Sequence, residues 1–342
     1  MKTENNDVQR HRRIIFRLVT CLFILGLLVV VETCFIFGYL WWRPSGKTDT
    51  PATEAASAVA AKEPALWQPP AESSIPAGEK GDAIRYGKAL ISETARYLGP
   101  KGSVLQLSNG MNCQNCHLNA GTSPFGNNYS RVAANYPKFR ARSGTSESVY
   151  KRISDCFERS LNGKAPDTSS KEMVAMKAYI EWVGTGVKKD ESPAGSGIKK
   201  VPMLTRAADV AGGSKVYTQK CQTCHGKNGE GLLQPDGVVY TFPPLWGPQS
   251  YNDAAGLFRL SNFAGYVKYN MPFGVTYENP QLTDEEAWDV AAFINSQPRP
   301  HKDQSGDWVD IKKKPIDFPF GPYADAFSEK QHKYGPYQPM KP

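Results

Sequence analysis

Cys113-Gln-Asn-Cys116-His117 and Cys221-Gln-Thr-Cys224-His225 are the two stretches of sequence that decide the fold of this chain. In each, two thiols three positions apart can reach the two vinyl groups of one haem, and the histidine that follows falls beneath the iron as a ligand. A cysteine pair at this spacing could also be a redox dithiol or half of a zinc site. One zinc site built from all four cysteines would leave both histidines unused. Two copies of the motif therefore predict two covalently bound c-type haems, with His117 and His225 as iron ligands.

The sequence around the second motif predicts a helix before it and another after it. Gly213, Tyr217 and Cys221 recur at intervals of four, which indicates one helix. Thr283 and Glu286 form a capping box at the start of the other, and the apolar spacing that follows suits a terminal helix packed on the first. This arrangement looks like a class I cytochrome c fold.

The segment from Tyr86 to Val187 repeats the same plan. A helix, the first haem motif, a long loop and a terminal helix near Ser170–Val183 follow one another. Met173 and Met176 lie in that terminal helix at core spacing, so we assign them to the core and not to an iron. The predicted fold is mainly α, with two class I cytochrome c-like domains that each hold one covalent haem, after an N-terminal transmembrane helix.

Residues 18–42 are almost entirely apolar, and a helix over this stretch would span roughly 37 Å, enough to cross a bilayer. Four arginines between residues 10 and 17 place the preceding end in the cytoplasm by the positive-inside rule. The alternative is a cleaved signal peptide, which needs small residues close behind its apolar core, whereas bulky residues follow here at 39–42. We therefore expect a single-pass anchor in the inner (cytoplasmic) membrane, with both haem domains in the periplasm.

Composition along the chain predicts the domain boundaries. The segment after the apolar stretch is rich in Ala, Pro, Ser and Thr, which is typical of a flexible linker. The predicted order is a cytoplasmic N-terminus (1–17), a transmembrane anchor (18–42), the flexible linker (43–78), the first cytochrome c domain (79–190), an interdomain linker (191–206), the second cytochrome c domain (207–300) and a Pro-rich C-terminal tail (301–342).

The charge balance bears on the class of ligand. The net charge of +8 counts protein groups only, and each haem would add two propionates. No dense block of Lys and Arg follows residue 17, so the composition indicates mild attraction for small anions and does not favour nucleic-acid binding.

The ligand on the second face of each iron is harder to assign, because only three histidines exist outside the two motifs. Two histidine ligands at both haems are therefore not expected. For the second haem, Met271 in Asn270-Met-Pro-Phe-Gly274 follows His225 at a distance usual for a small cytochrome c. The alternative is a methionine that fills a gap in the core. The proline after it and the loop setting favour iron ligation.

For the first haem, the candidate is Cys156. Val149, Ile153 and Phe157 share one helical face with it, so its side chain should point inward, toward that haem. Spacing leaves two alternatives open, an inert buried cysteine and a thiolate bound to iron. Arg152 lies one helical turn earlier on the same side of the helix.

A family resemblance rests on three runs of sequence. Lys151-Arg-Ile-Ser-Asp-Cys-Phe-Glu-Arg-Ser-Leu-Asn-Gly163 resembles the distal-ligand motif of the di-haem thiosulfate dehydrogenases. Gly121-Thr-Ser-Pro-Phe-Gly126 and Arg140-Ala-Arg-Ser-Gly144 are similar to segments of the same family. The resemblance extends over roughly residues 80–300 and into the tail at 332–336.

The resemblance implies that the first haem is the active site, with His117 and Cys156 as axial ligands and Arg142 and Arg152 as the substrate-binding pair. There, two thiosulfates would be joined to tetrathionate with release of two electrons, and some members run the reverse reduction. The second haem would pass electrons to a redox partner cytochrome or a quinol-linked carrier. Certain members carry a lysine directly before the distal methionine that can replace it, whereas this chain has Asn270.

Two alternatives to an enzyme remain. One is a non-catalytic di-haem electron-transfer cytochrome between membrane quinol oxidation and a periplasmic reductase, and the other is a cytochrome subunit of a larger sulfur-oxidising complex. Cys156 with Arg152 favours the enzyme, because a plain electron carrier needs neither. Fixed guanidinium groups would offset the repulsion between two dianions. Arg159 is assigned to the solvated surface.

Overall fold

The computed structural model describes residues 17, 18, 20, 22, 24–34 and 65–341. The chain divides into two compact units, residues 1–62 and residues 63–342. Both haem motifs belong to the second unit.

The predicted membrane anchor is corrected by the structure. Among the described residues, no helix combines the length and the apolar character that crossing a membrane requires. The predictions of a span over 18–42 and of a single-pass inner-membrane location are therefore wrong on this finding. Residues 19, 21, 23 and 35–42 of that span, the predicted cytoplasmic end up to residue 16 and linker residues 43–64 lie outside the described residues.

The first haem motif lies among short and medium helices with one β-hairpin. Its α-helices are α1 (Glu79–Ser92), α2 (Thr94–Leu98), α3 (Leu118–Gly121), α4 (Val132–Asn135), α5 (Val149–Asp155) and α6 (Lys171–Val183). A π-helical turn, Cys156–Ser160, continues α5, and 3₁₀ turns occupy Glu72–Ser74 and Cys113–Asn115. Strands β1 (Lys138–Arg140) and β2 (Thr145–Glu147) pair antiparallel, with Phe139 opposite Ser146.

The second haem motif also lies among short and medium helices with one pair of antiparallel strands. Its α-helices are α7 (Val210–Lys220), α8 (Gln222–His225), α9 (Leu260–Asn270) and α10 (Asp284–Ser296), and a further helix, α11 (Glu329–Tyr334), lies near the C-terminus. Strands β3 (Leu232–Leu233) and β4 (Tyr240–Phe242) pair antiparallel, and 3₁₀ turns occupy Gly256–Phe258, Ile311–Lys313 and Gln338–Met340. The fold is mainly helical, as predicted.

Both halves pack an N-terminal helix against a terminal helix at a glycine. In the first, α1 meets α6, and a Cβ added to Gly87 would lie 2.0 Å from the carbonyl oxygen of Ala175. In the second, α7 meets α10, and a Cβ on Gly213 would lie 1.9 Å from the carbonyl oxygen of Asp289. No side chain fits at either crossing, so glycine permits the close approach that places each haem motif behind its helix pair.

Local sequence signals explain where the terminal helices begin. The Ser170 hydroxyl accepts a hydrogen bond from the Met173 amide at the start of α6. Thr283 and Glu286 form the predicted capping box at the start of α10. Met173 and Met176 are fully buried in the core of the first half, which confirms their assignment to the core.

The C-terminal residues pack against both halves. Asp307 forms an ion pair with Arg159 of the first half, and Asp317 forms one with Arg259 of the second. His332 is buried and stacks on the ring of Tyr323, with a centroid distance of 3.5 Å. Parts of the predicted Pro-rich tail therefore pack against the two halves.

Candidate active site

The first haem motif fixes its histidine by a backbone contact. His117 Nδ1 donates to the carbonyl oxygen of Asn127 at 2.6 Å, which leaves Nε2 free to bind a metal. Burial lowers the pKa of His117 to about 4, so the imidazole is neutral, as a metal ligand must be. The ring of Tyr129 packs on that of His117 at a centroid distance of 4.6 Å. Gly121, at φ +80°, permits this contact, because a Cβ there would meet the Tyr129 ring at 2.1 Å.

An inner cavity of about 110 Å³ extends from this histidine. Cys113, Cys116 and Cys156 reach it with free thiols. Its remaining walls are largely apolar and come from several helices: Ile91, Tyr129, Val132, Val149, Ile153, Phe157, Leu161, Met176 and Ile180. An oriented neutral imidazole, two free thiols at the attachment spacing and apolar walls are what a covalent haem requires, so these residues fit the group.

An outer cavity of about 200 Å³ adjoins the inner one. The two share the residues Cys116, His117, Asn127, Arg152, Cys156 and Ser160. The outer cavity differs in chemistry, because five arginines line it: Arg140, Arg142, Arg152, Arg159 and Arg259. Cys156 and Arg152 therefore lie at the boundary between a site suited to haem and a site suited to anions.

The backbone explains how Cys156 reaches this boundary. Helix α5 begins at Ser148, whose hydroxyl accepts from the Lys151 amide, and at Cys156 the chain changes to π-helical hydrogen bonding. Phe157 is completely buried in the core, whereas Cys156 is only partly buried and lines both cavities. One-turn π segments inside helices are frequent at functional sites.

Arg152 differs from the other cavity arginines. In the described part of the chain, no carboxylate lies within ion-pair distance of it. Its pKa is raised, chiefly because the Cys156 sulfur as a thiolate would stabilise its charge. Arg152 is thus a cation that lines both cavities without a carboxylate partner among the described residues.

Carboxylates pair with the other arginines. Arg142 pairs with buried Asp155, Arg159 binds both oxygens of Asp307 at 2.7 and 2.8 Å, and Arg259 binds Asp317. Arg140 is more weakly held, with Nε 3.9 Å from a carboxylate oxygen of Glu147.

Arg142 comes from the turn between β1 and β2. Its carbonyl oxygen accepts from the backbone amide of Trp308 at 2.6 Å, so the C-terminal segment holds this turn over the outer cavity. Burial lowers the pKa of Arg142, with Asp155 acting in the opposite direction. The structure therefore brings the predicted pair Arg142 and Arg152 to one cavity. Arg142 is paired with a carboxylate there, and Arg152 is not.

The second haem motif lies on a larger cavity of about 740 Å³, which also reaches Asn112 and Cys116 beside the first haem motif. His225 Nδ1 donates to the carbonyl oxygen of Pro243 at 2.9 Å, which again leaves Nε2 free. Cys221, Cys224 and Met271 line this cavity. The side chain of Asn270 donates to the carbonyl oxygens of Phe125 and Tyr266.

Comparison with known proteins agrees with this geometry. The model for the cytochrome c domain of SoxA/TsdA matches residues 105–188, and the cytochrome c model matches residues 210–298. Each matched segment contains one haem motif, so the chain carries two c-type haems.

Curated relatives decide the family. The thiosulfate dehydrogenase of Thiomonas intermedia is 36% identical over 264 residues, which are 73% of this chain and 81% of the relative. The thiosulfate dehydrogenase of Allochromatium vinosum is 38% identical over 235 residues, covering 68% of this chain and 83% of the relative. This chain belongs to the thiosulfate dehydrogenase family. A solved thiosulfate dehydrogenase (TsdBA) from Marichromatium purpuratum superposes with a TM-score of 0.65 at 30% identity, covering 75% of this chain and 54% of that chain, about half its length.

Some residues that line the outer cavity of this thiosulfate dehydrogenase family member were not predicted from the sequence. Arg159, assigned to the surface, is buried and lines the cavity, so that assignment is wrong. Its spacing of seven from Arg152, close to two helical turns, was an available signal. Arg259 and Trp308 also line the cavity, but they come from distant segments and no local pattern marks them.

Met271→Gly is expected to remove the weak methionine-to-ferric-iron charge-transfer band from the red end of the absorption spectrum, because Met271 lines the second haem cavity. Met203→Gly is the matched control, since Met203 packs on the same core and does not line that cavity. Both variants should retain two covalent haems. Persistence of the band in Met271→Gly would assign it to another methionine.

Proposed function

We propose that this chain joins two thiosulfates into tetrathionate with release of two electrons, at the boundary between the inner and outer cavities. The observation that supports the proposal most directly is the juxtaposition of Cys156 with the unpaired cation Arg152 in a cavity lined by arginines. A non-catalytic electron carrier has no need for an anion site beside its haem.

Charge repulsion is the main obstacle to this reaction. Two dianions must approach until their terminal sulfur atoms form a bond, while two electrons leave and no proton is gained or lost. Fixed guanidinium groups offset that repulsion and donate paired hydrogen bonds to sulfonate oxygens. We assign this role to Arg152 and Arg142. Because Arg152 has no carboxylate partner, we assign it the larger share.

We propose that Cys156 and His117 would hold the iron of the first haem. The bound haem would supply an iron that accepts electrons one at a time. The chain itself holds the imidazole neutral and oriented through Asn127, and it places Cys156 on both cavities. Substrate sulfur in the outer cavity would then lie beside the Cys156 sulfur, and sulfur nucleophiles exchange readily with sulfur–sulfur bonds.

His225 and Met271 are proposed as ligands of the second iron. A thioether ligand raises the reduction potential, which suits an acceptor of electrons from the first site. A redox partner cytochrome or a quinol-linked carrier would receive the electrons. The same residues would serve tetrathionate reduction if the driving force were reversed.

The test is reduction of the oxidised holoprotein by thiosulfate under anaerobic conditions. Addition of thiosulfate should produce the sharp absorption bands of ferrous c-type haem. Sulfate, a dianion without a reducing sulfur, is the control and should leave the spectrum oxidised. A spectrum that stays oxidised with thiosulfate, in protein that dithionite does reduce, would contradict the proposal.

A further inference from the structure

Four of the five cavity arginines have a carboxylate partner that offsets their charge, and two of these partners come from the C-terminal segment. Asp307 binds both Nη atoms of Arg159, and the two side chains are only 11% and 10% exposed, respectively. Asp317, 2% exposed, binds Arg259. Asp155 pairs with Arg142 from within the first half and is shared with Lys151.

These pairs are a property of the tertiary fold and not of local sequence. Arg159 and Asp307 are 148 residues apart, and Arg259 and Asp317 are 58 apart. The C-terminal segment must therefore fold back over the outer cavity to make them. Among the five lining arginines, Arg152 keeps an unpaired guanidinium next to Cys156.

We propose that Asp307 is a positioning residue that masks Arg159, so that a substrate anion binds at Arg152, which lines both cavities with Cys156, and not at Arg159, which lines only the outer cavity. An unmasked Arg159 would form a second anion site in the same cavity. Anions held there would bind tightly but outside the inner cavity, so turnover would fall. The expected loss of turnover rests on the proposed function, whereas the expected change in sulfate affinity requires only that the cavity binds an anion.

The direction in which anion affinity changes in Asp307→Asn distinguishes masking from a merely structural role. A merely structural ion pair predicts that Asp307→Asn lowers thermal stability and leaves anion affinity unchanged or weaker. Masking predicts tighter anion binding, because the same cavity gains one uncompensated positive charge. It also predicts that KM and kcat for thiosulfate fall together, which is the signature of binding that does not lead to reaction.

The experiment compares the holoprotein with Asp307→Asn, with the double variant Asp307→Asn/Arg159→Gln and with Asp303→Asn. Asp303 lies in the same segment, is exposed and binds only Ser305 among the described hydrogen bonds, so it is the matched control. Sulfate binding is measured by calorimetry on oxidised protein, and thiosulfate kinetics are measured on the same samples.

Asp307→Asn is expected to bind sulfate about tenfold more tightly or better, since a charge-assisted hydrogen bond changes affinity by about 10- to 150-fold. The sulfate affinity of the double variant should return toward that of the unmodified protein. Asp303→Asn should bind sulfate as tightly as the unmodified protein does. If Asp307→Asn does not fold, Asp317→Asn with its partner change Arg259→Gln gives the same comparison at the second pair.

Unchanged or weaker sulfate binding in a folded Asp307→Asn protein with normal haem spectra would overturn the inference. Tighter binding that persists in the double variant would also overturn it, because the charge of Arg159 would then not be the cause. Absence of thiosulfate oxidation by the unmodified protein would reject the proposed function, and the sulfate measurements would still decide whether Asp307 masks Arg159.

Discussion

Replacing Cys156 with alanine is expected to abolish thiosulfate turnover while both haems stay covalently attached. Cys156 lines the inner and the outer cavity, so the variant loses the proposed iron ligand and the sulfur that faces the substrate. The attachment cysteines are separate residues and are not altered. The measurement is the steady-state rate with thiosulfate, together with the absorption and electron paramagnetic resonance spectra of the first haem.

Cys34→Ala is the control for loss of a free thiol. Cys34 is exposed and belongs to residues 1–62, the unit that holds neither haem motif, so its removal should leave rate and spectra unchanged. An unchanged ligand signature at the first haem of Cys156→Ala would reject the ligand assignment. Retained turnover would reject the catalytic role as well.

Arg152→Gln is expected to lower kcat/KM for thiosulfate by about 10- to 150-fold or more, with both haem spectra intact. Arg152 is the cavity arginine without a carboxylate partner, so no carboxylate competes with the substrate for its donors. Lysine at this position should give partial rescue, because it restores the charge but not the forked donors. The kinetic constants and the reduction potential of the first haem are measured on the same preparations.

Variants of two other arginines are compared with Arg152→Gln. Arg142→Gln should have a smaller kinetic effect, because Asp155 already pairs with Arg142, and it should also lower stability by leaving a buried carboxylate less compensated. Arg85→Gln removes an exposed arginine outside the cavities and should change nothing. If Arg152 serves a haem propionate instead of the substrate, its variant will shift the reduction potential with near-normal thiosulfate kinetics, and the substrate role will be refuted.

Much of the fold followed from local sequence signals. The haem motifs, the Ser170 and Thr283 caps and the core methionines depend on residues within one or two helical turns of one another, so their spacing alone predicts them. Cys156 and Arg152 are likewise one turn apart on one helix. Their iron and substrate roles remain predictions, since spacing supplies position but not ligation.

The rest of the site depends on long-range packing. The outer cavity is completed by Arg259 and by Trp308, and Asp307 and Asp317 reach their arginines across long stretches of chain. Such contacts leave no periodic pattern in the sequence, and a segment rich in proline resembles a tail until its partners are known.

The stoichiometry of the reaction tests the central claim most directly. Purified holoprotein is given limiting thiosulfate and an excess of a one-electron acceptor, and thiosulfate, tetrathionate and reduced acceptor are counted at the end, with a protein-free blank subtracted. The proposed reaction predicts one tetrathionate and two reduced acceptors for every two thiosulfates consumed. Sulfite or sulfate as the main product, or no consumption above the blank, would contradict it.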